Sequence, residues 1–222
     1  QPVWKDYLGN VLAVNAATQV PDGVQLTNVQ IKQTAPLFVN APGALAVTAG
    51  QGVYLQSGQQ LKIDHLQAGG TVNLATTAGI TAATPTSASP QIVTSGDLAL
   101  NAEQADIGTD AAHPLSVQVG GKLVLATAGG NVWLSDQSGD LVVGNIFAGE
   151  SLSLEALAGS ILADPTQSGL TLRAHDIDIH ASQDIGSSIK PLQIATAADG
   201  ELNGSAGGGA WFSAPASSTS GT

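Results

Sequence analysis

Cysteine and methionine are both absent from the 222 residues of this chain. The lack of cysteine excludes disulfide bonds, thiolate nucleophiles and metal sites built on cysteine. The lack of methionine predicts that the sequence is an internal or processed part of a longer product. No apolar run reaches the roughly 18 residues of a membrane-spanning helix, and no basic-then-apolar signal segment occurs, so we expect no membrane insertion and an export signal elsewhere.

Aromatic and charged side chains are scarce. Aromatic residues make up 4% of the chain and charged residues 10%, whereas glycine occurs 27 times. The interior must therefore consist of Val, Leu, Ile and Ala, which favours many short strands over long charged helices. With a formal net charge of -11 and only 6 Lys and Arg, the chain has no basic patch for phosphate groups, so no nucleic-acid binding is expected.

Apolar and polar residues alternate in short segments that follow one another at a short and regular interval, as at Leu115, Val117 and Val119. Glycine pairs such as Gly129-Gly130 separate the segments and suit tight corners. This pattern predicts strands with one buried face. Two architectures fit it: an antiparallel sandwich, or a parallel solenoid in which the chain climbs by a constant step.

Four sequence landmarks each return at a nearly constant interval along the chain. Each turn of a solenoid meets the same environment as the last, whereas sandwich strands take different neighbours, so the repeat favours the solenoid. We predict an all-β, right-handed parallel β-helix with tandem units of about 78 residues, each made of about four coils of roughly twenty residues. The landmarks are Pro-Leu at Pro36, Pro114 and Pro191, an aromatic at Tyr54, Trp133 and Trp211, glycine-rich segments at 68–79 and 148–159, and Asp-Ile-Gly at 106–108 and 184–186.

The domain organisation follows from these units. The interval from Ile80 to Leu98 is twice as long as the matching interval from Ile161 to Leu170, so we predict an insertion in the first unit. The predicted parts are a possible N-terminal cap (1–23), a β-helix (24–213) with repeats 36–113 and 114–190 and a partial repeat 191–213, a protruding loop (81–95) and a disordered tail (214–222).

Arg173, Asp176, Asp178 and His180 form the most site-like group of polar residues. Alternation places them on the outer surface around a corner, where parallel β-helix polysaccharide lyases keep an arginine and acidic calcium ligands. The previous unit has no such group except Asp106, so we interpret these residues as solvated polar side chains and predict no catalytic residue, metal site or cofactor. The same interpretation covers Asp64, His65, Asp136, Asp140 and Asp164.

Tyr54 and Trp133 are the candidate ligand-binding residues. Each stands between two aliphatic residues that should face inward, so both rings should point outward at equivalent points of two units. Exposed aromatic rings at a regular spacing suit stacking against sugar rings. The alternative is that each ring covers a neighbouring coil or a glycine-rich corner.

Five short segments carry a resemblance to a known family: Gly121-Lys122-Leu123-Val124-Leu125-Ala126, Gly129-Gly130-Asn131-Val132, Gly139-Asp140-Leu141, Asp184-Ile185-Gly186 and Pro191-Leu192. With them the chain resembles the repetitive passenger region of filamentous-haemagglutinin-like surface adhesins, the exoproteins of two-partner secretion in Gram-negative bacteria. The resemblance covers about Val24 to Phe212. It implies a right-handed parallel β-helix, attachment to host cells, other bacteria or biofilm exopolysaccharide, and export through an outer-membrane secretion partner of the parent protein.

We therefore expect a segment of an exported bacterial cell-surface or biofilm-matrix adhesin with a role in virulence. It would act as a rigid monomeric shaft that contacts exopolysaccharide or a host-surface glycan or receptor, without enzyme activity. Two other classes stay open. A carbohydrate-active β-helix enzyme, either a lyase or a hydrolase, would cleave an acidic polysaccharide, and the stalk of a contact-dependent toxin delivery protein would be revealed by the sequence beyond Thr222.

Overall fold

The computed structural model describes residues 36–40, 42–85 and 89–214, together with the backbone of three short strands that precede them. The strands are β1 (Trp4–Lys5), β2 (Val11–Leu12), β3 (Leu26–Thr27), β4 (Leu37–Phe38), β5 (Ala44–Ala49), β6 (Val53–Ser57), β7 (Leu61–Ala68), β8 (Val72–Thr76), β9 (Ile80–Ala82), β10 (Ile92–Thr94), β11 (Leu98–Ala102), β12 (Leu115–Val119), β13 (Lys122–Ala128), β14 (Val132–Asp136), β15 (Leu141–Ala148), β16 (Ser151–Ala156), β17 (Ile161–Ala163), β18 (Leu172–Arg173), β19 (Asp176–Ala181), β20 (Leu192–Ala195), β21 (Leu202–Ala206) and β22 (Phe212–Ser213).

Two parts of the predicted organisation fall largely outside this description. Of the predicted cap, only β1 and β2 are described, and they pair antiparallel with each other. Of the predicted tail, residues 215–222 lie outside the described residues.

All the remaining strands belong to two parallel sheets. The first sheet has the order β3-β5-β7-β10-β12-β14-β16-β19-β21, with β9 attached to β7. The second has the order β4-β6-β8-β11-β13-β15-β18-β20-β22, with β17 attached to β15. Strands that follow one another along the chain in these two orders alternate between the sheets. The described strands β3 to β22 therefore make nine circuits, each adding one strand to each sheet. The prediction of an all-β fold with stacked parallel strands is confirmed, and the antiparallel sandwich is excluded.

The two sheets share one hydrophobic core. Strands alternate between buried and more exposed residues, as in β6 and β8, and the buried residues of neighbouring circuits stand in register. Fully burying one such aliphatic side chain stabilises the fold by about 1.5 to 3 kcal/mol relative to exposure. One buried row of the second sheet consists of Leu74, Leu100, Ala126, Ile146, Leu172 and Ile194.

Two long strands each carry two shorter strands of the next circuit, and an excursion of the chain separates these. On β7, residues 61–63 pair with β9 and residues 66–68 with β10, which leaves 83–91 as the excursion. On β15, residues 141–143 pair with β17 and residues 146–147 with β18, which leaves 164–171. The stretch 81–95, predicted as a loop, therefore has strand residues at both ends, and 86–88 lie outside the described part.

The excursion at 164–171 was not expected from the sequence. The predicted insertion in the first unit assumes that Leu170 is the equivalent of Leu98. Leu170 lies outside any strand, so this equivalence is wrong. The strand that occupies the place of β11 in the second unit is β19, which begins one sequence period after it. In both units the chain therefore leaves the sheets at the equivalent place, between the two short strands that pair with one long strand.

Elements one sequence period apart lie in different sheets. The strands β6 and β14, which carry Tyr54 and Trp133, belong to the second and the first sheet respectively. The same exchange relates β7 to β15 and β11 to β19. Along the two main sheets, β14 is the seventh strand after β6, so one sequence period corresponds to three and a half circuits instead of the predicted four.

The Asp-Ile-Gly landmark and the aromatic landmark recur together because they touch in successive circuits. Asp106 Oδ1 accepts a hydrogen bond from the backbone N–H of Asn131 at 2.6 Å, and the carbonyl of Ile107 accepts one from the N–H of Trp133 at 2.7 Å. In the second unit, Asp184 Oδ1 accepts from the N–H of Gly209 at 2.7 Å, and the carbonyl of Ile185 accepts from Trp211 at 2.7 Å.

The glycine of this motif has two functions. Gly108 adopts a φ of +90°, a left-handed conformation that favours glycine. A Cβ at this position would also lie 2.5 Å from the backbone oxygen of Trp133. Gly186, with a φ of +66°, stands in the same relation to the backbone oxygen of Trp211. The motif therefore fixes a corner against the next circuit.

Further corner carboxylates join successive circuits in the same way. Asp97 Oδ1 accepts from the N–H of Lys122 at 2.9 Å, and Asp140 Oδ1 accepts from the N–H of Ser160 at 2.8 Å. A Cβ on Gly121, which precedes Lys122, would lie 2.5 Å from Asp97 Oδ1. The glycine pairs thus leave space for a carboxylate, and part of the negative charge of the chain has a structural role at the corners.

Candidate ligand-contact surfaces

Tyr54 lies on the outer face of the second sheet, half-buried, beside Asn73 of the next circuit. Its ring lies close to the corner residue Gly52, because a Cβ at Gly52 would be 2.9 Å from Cε2 of Tyr54. Trp211 has the same relation to Gly209. For these two rings the geometry favours the alternative considered above, in which an aromatic ring covers a glycine-rich corner.

Trp133 lies on the outer face of the first sheet, also half-buried, beside Ser153. The outer faces of the two sheets point away from their shared core and hence away from each other. Tyr54 and Trp133 are therefore equivalent in sequence but face different sides of the molecule. One flat ligand cannot contact both rings in the way that a regular spacing along one face would allow.

The polar group around Arg173 divides between the two sheets. Arg173 lies on β18 of the second sheet, whereas Asp176, Asp178 and His180 lie on β19 of the first. The residues of β19 have local partners: Asp178 Oδ1 is 2.9 Å from His180 Nε2, and His180 Nδ1 is 2.7 Å from Ser205 Oγ. Asp176 Oδ1 accepts from the N–H of Glu201 at 2.9 Å. The arrangement does not bring Arg173 and Asp178 to one site.

Asp164, predicted on the solvated outer face, is buried instead. Its side chain is 4% exposed, and Oδ1 accepts a hydrogen bond from Lys122 Nζ at 2.8 Å. The N–H and the hydroxyl of Thr166 donate to the same oxygen at 2.9 and 2.8 Å. The hydrogen bond from Lys122 is the main cause that lowers the pKa of Asp164 to about 2. This ion pair holds the excursion 164–171 against the second sheet.

Asp136 was also predicted to be solvated, and this is wrong. It is fully buried at the end of β14, in register with Val117 and Ala156 of the neighbouring circuits. Burial raises its pKa to about 6, although the N–H groups of Val119 and Ser138 donate to its oxygens at 3.2 and 3.3 Å. Within the described ranges, no group of three or more His, Asp and Glu residues is arranged to hold a metal ion.

Acidic residues are unevenly distributed between the sheets. Among the described residues, the strands of the second sheet contain no Asp or Glu, and their two cationic residues are Lys122 and Arg173. The strands of the first sheet contain Asp64, Asp136, Glu155, Asp176 and Asp178. The two outer faces of the molecule therefore offer different surfaces to a charged ligand.

A shallow groove of about 430 Å³ lies at the end of the second sheet where β13, β15, β18 and β20 turn the corner. Its lining includes Phe147, Arg173 and His175, with small residues between them. Thr127, Phe147, Arg173 and Ala195 form one register row across these strands. At the rim, Asp176 Oδ1 is 3.1 Å from His175 Nδ1, and this hydrogen bond is the main cause that raises the pKa of His175.

Sequence reasoning did not single out Phe147 as a candidate. The usable signal was the alternation of β15, which predicts an outward ring. Nothing in the sequence sets Phe147 beside Arg173, because the two residues meet only through the register of successive circuits.

Comparison with protein-family models, with curated proteins and with solved structures finds no match for this chain in any of the three. Among the residues that the structure describes, none forms a helix of the length and apolarity needed to cross a membrane.

Proposed function

We propose that this chain is a rigid, shaft-like segment of an exported bacterial cell-surface or biofilm-matrix adhesin. In this proposal it is a right-handed parallel β-helix with tandem units of about 78 residues, like the filamentous-haemagglutinin-like proteins that its motifs resemble. The observation that carries the proposal is the parallel stacking of the nine described strands in the main order of each sheet over a shared aliphatic core. A stack of this kind extends in one direction and resists bending.

The proposed mechanism is mechanical and interfacial. Parallel strands are spaced by about 4.8 Å, so nine circuits project a surface over roughly 40 Å. Each circuit contacts only its neighbours, so a longer shaft needs only more circuits. The proposed partners are exopolysaccharide or a host-surface glycan or receptor, with export through an outer-membrane partner of the parent protein and a monomeric, secreted or surface-attached state.

Binding of the folded chain to a panel of bacterial exopolysaccharides and host glycans tests the contact role. We expect saturable binding to at least one polysaccharide. Because Tyr54 and Trp133 face different sides, we expect Tyr54→Ala and Trp133→Ala to differ in effect, with at most one of them weakening binding to a given ligand. Circular dichroism of each variant controls for folding. Absence of binding across the panel by the folded chain would contradict the contact role.

A carbohydrate-active enzyme is a second candidate, because the groove holds the only arginine of the chain. It has less support than the adhesin, since Arg173 and Asp178, which belong to one polar group in the sequence, lie on different sheets. Release of oligosaccharides from an acidic polysaccharide, lost on Arg173→Gln, would favour the enzyme over the adhesin.

A further inference from the structure

We propose that the outer face of the second sheet binds an anionic polysaccharide, with the guanidinium of Arg173 pairing with a sugar carboxylate beside the ring of Phe147. This inference rests on the proposed function, to which it adds the ligand class and the face of the shaft that binds it. It follows from the groove, from the free guanidinium and from the charge difference between the two sheets.

The Arg173 side chain is exposed and has no hydrogen-bonding or ion-pair partner among the residues that the structure describes. Two other cationic side chains already have partners within the protein. Lys122 forms an ion pair with Asp164, and Lys190 donates a hydrogen bond to the backbone oxygen of Gln167. A guanidinium presents several N–H donors in a planar fork that matches a carboxylate. The second sheet thus offers one free site for bidentate recognition of an anion.

Phe147 gives the same site an apolar surface. It pairs directly with Arg173 in the register of β15 and β18, so the two residues stand on adjacent strands about 4.8 Å apart. Ala128, Gly149 and Ala195 line the groove around them and leave room because their side chains are short. A uronic acid presents an apolar ring face and a carboxylate, which suits an aromatic ring next to a guanidinium.

The surrounding face also favours a polyanion. Its strands lack Asp and Glu, whereas a polyanion at the first sheet would meet Asp64, Glu155 and Asp178. At the rim of the groove, Asp176 and Asp199 contact His175. Glu150 directly follows the lining residue Gly149, and its carboxylate accepts a hydrogen bond from Nδ2 of Asn131. Side-chain amides suited to sugar hydroxyls stand at the less buried positions of the second sheet, namely Gln56, Asn73, Asn101, Asn145 and Gln193.

The shape of the groove favours a polymer over a small anion. The groove is open and crosses four neighbouring strands, a distance of roughly 14 Å at the usual strand spacing. This length accommodates several linked sugar rings, and the amides continue along the same face beyond the groove. We therefore assign the site to a stretch of a carboxylated polysaccharide.

Titration of the full chain with a polyuronate, such as polygalacturonate or alginate, tests the assignment by isothermal calorimetry. We expect Arg173→Gln and Phe147→Ala each to weaken binding at least tenfold, and Arg173→Lys to restore it only in part. Lys62→Gln is the matched control, because it removes one positive charge from the first sheet. We expect it to change affinity less than twofold. The methyl-esterified polymer, which lacks free carboxylates, should bind at least tenfold more weakly than the acid form.

Equal weakening by Arg173→Gln and Lys62→Gln would overturn the assignment, since bulk charge would then explain the binding. Polyuronate binding that Arg173→Gln leaves unchanged would overturn it as well. Binding of neutral polysaccharides alone, unaffected by Arg173→Gln, would overturn the assignment and leave the adhesin proposal standing. Absence of binding to every polysaccharide by the folded chain would overturn the assignment and contradict the carbohydrate-contact role, and it would leave the shaft role standing.

Discussion

Replacing Gly108 with alanine is expected to lower the free energy of unfolding by about 2 to 5 kcal/mol. The left-handed backbone conformation of Gly108 costs an L-residue about 1 to 2 kcal/mol. The added Cβ would lie 2.5 Å from the backbone oxygen of Trp133, and relieving such overpacking costs typically about 1 to 3 kcal/mol more. Urea unfolding followed by circular dichroism measures the loss.

Gly139→Ala is the matched control for this prediction. Gly139 has a φ of +75°, but a Cβ there would meet no atom within 4 Å. It should therefore show only the conformational cost, about 1 to 2 kcal/mol. Equal losses for the two variants would mean that the corner at Gly108 does not pack tightly against the next circuit.

Replacing Asp136 with asparagine is expected to stabilise the protein at pH 8 and to remove part of its pH dependence. Asp136 is fully buried in a core row, and burial raises its pKa from the ordinary value of 3.8 to about 6. A raised carboxyl pKa means that the folded state binds the proton more tightly than the unfolded state. The stability linked to this proton is complete below about pH 4 and is lost as the pH rises through about 6.

The expected loss between pH 4 and pH 8 is up to about 3 kcal/mol, because each unit of pKa difference corresponds to about 1.4 kcal/mol. Thermal unfolding at several pH values measures it. Asp136→Asn should unfold at a higher temperature than the parent chain at pH 8, with a smaller difference at pH 4. Asp140→Asn is the control, because it neutralises a corner carboxylate that accepts from Ser160. If it stabilised the protein equally at pH 8, net charge would explain the effect.

The alternation of apolar residues was sufficient to predict the strands, because a strand with one buried face leaves that signature locally. At Asp136 the alternation and the side-chain chemistry disagree. The buried positions of β14 continue from Val132 and Leu134 to this carboxylate, at the place that Ser57 holds in β6, whereas a charged group is expected in solvent. Whether Asp136 is buried depends on the neighbouring circuits that pack against it, and the sequence of β14 alone does not show this.

The number of circuits per unit could not be read from the sequence, because the circuits differ in length. Leu37 pairs with Leu55 and Val72 pairs with Leu98, and the second of these intervals is clearly longer than the first. The sheet exchange between the units, and with it the separation of Tyr54 from Trp133, depends on this count. The lack of Asp and Glu in the described strands of the second sheet depends on which strands belong to that sheet, and the sequence does not give this assignment.

The sequence shows the Asp-Ile-Gly motif as a repeated landmark, but it does not show what the motif does in the structure. Its aspartate and its glycine both act on a segment of the next circuit, at Asn131 and Trp133. Such contacts follow from the register of parallel circuits, which no local pattern specifies. In the sequence, this contact appears only as two landmarks, the Asp-Ile-Gly motif and the aromatic residue, that recur with the same period.

The most direct test of the parallel circuits is a disulfide engineered between two of them, which is straightforward in a chain without cysteine. Ser153 and Asp178 pair in register on β16 and β19, so their Cα atoms are about 4.8 Å apart, within the range that a disulfide spans. The control pair, Ser153 and His180, is displaced by two positions along the strand, which gives a separation of about 8 Å.

We expect the double variant Ser153→Cys/Asp178→Cys to form an intramolecular disulfide under mild oxidation, detected by mass spectrometry of the digested protein. Ser153→Cys/His180→Cys should remain largely reduced under the same conditions. Preferential oxidation of the second pair, or failure of the first in a folded protein, would contradict the stacking of parallel circuits on which the proposed shaft and its binding face depend.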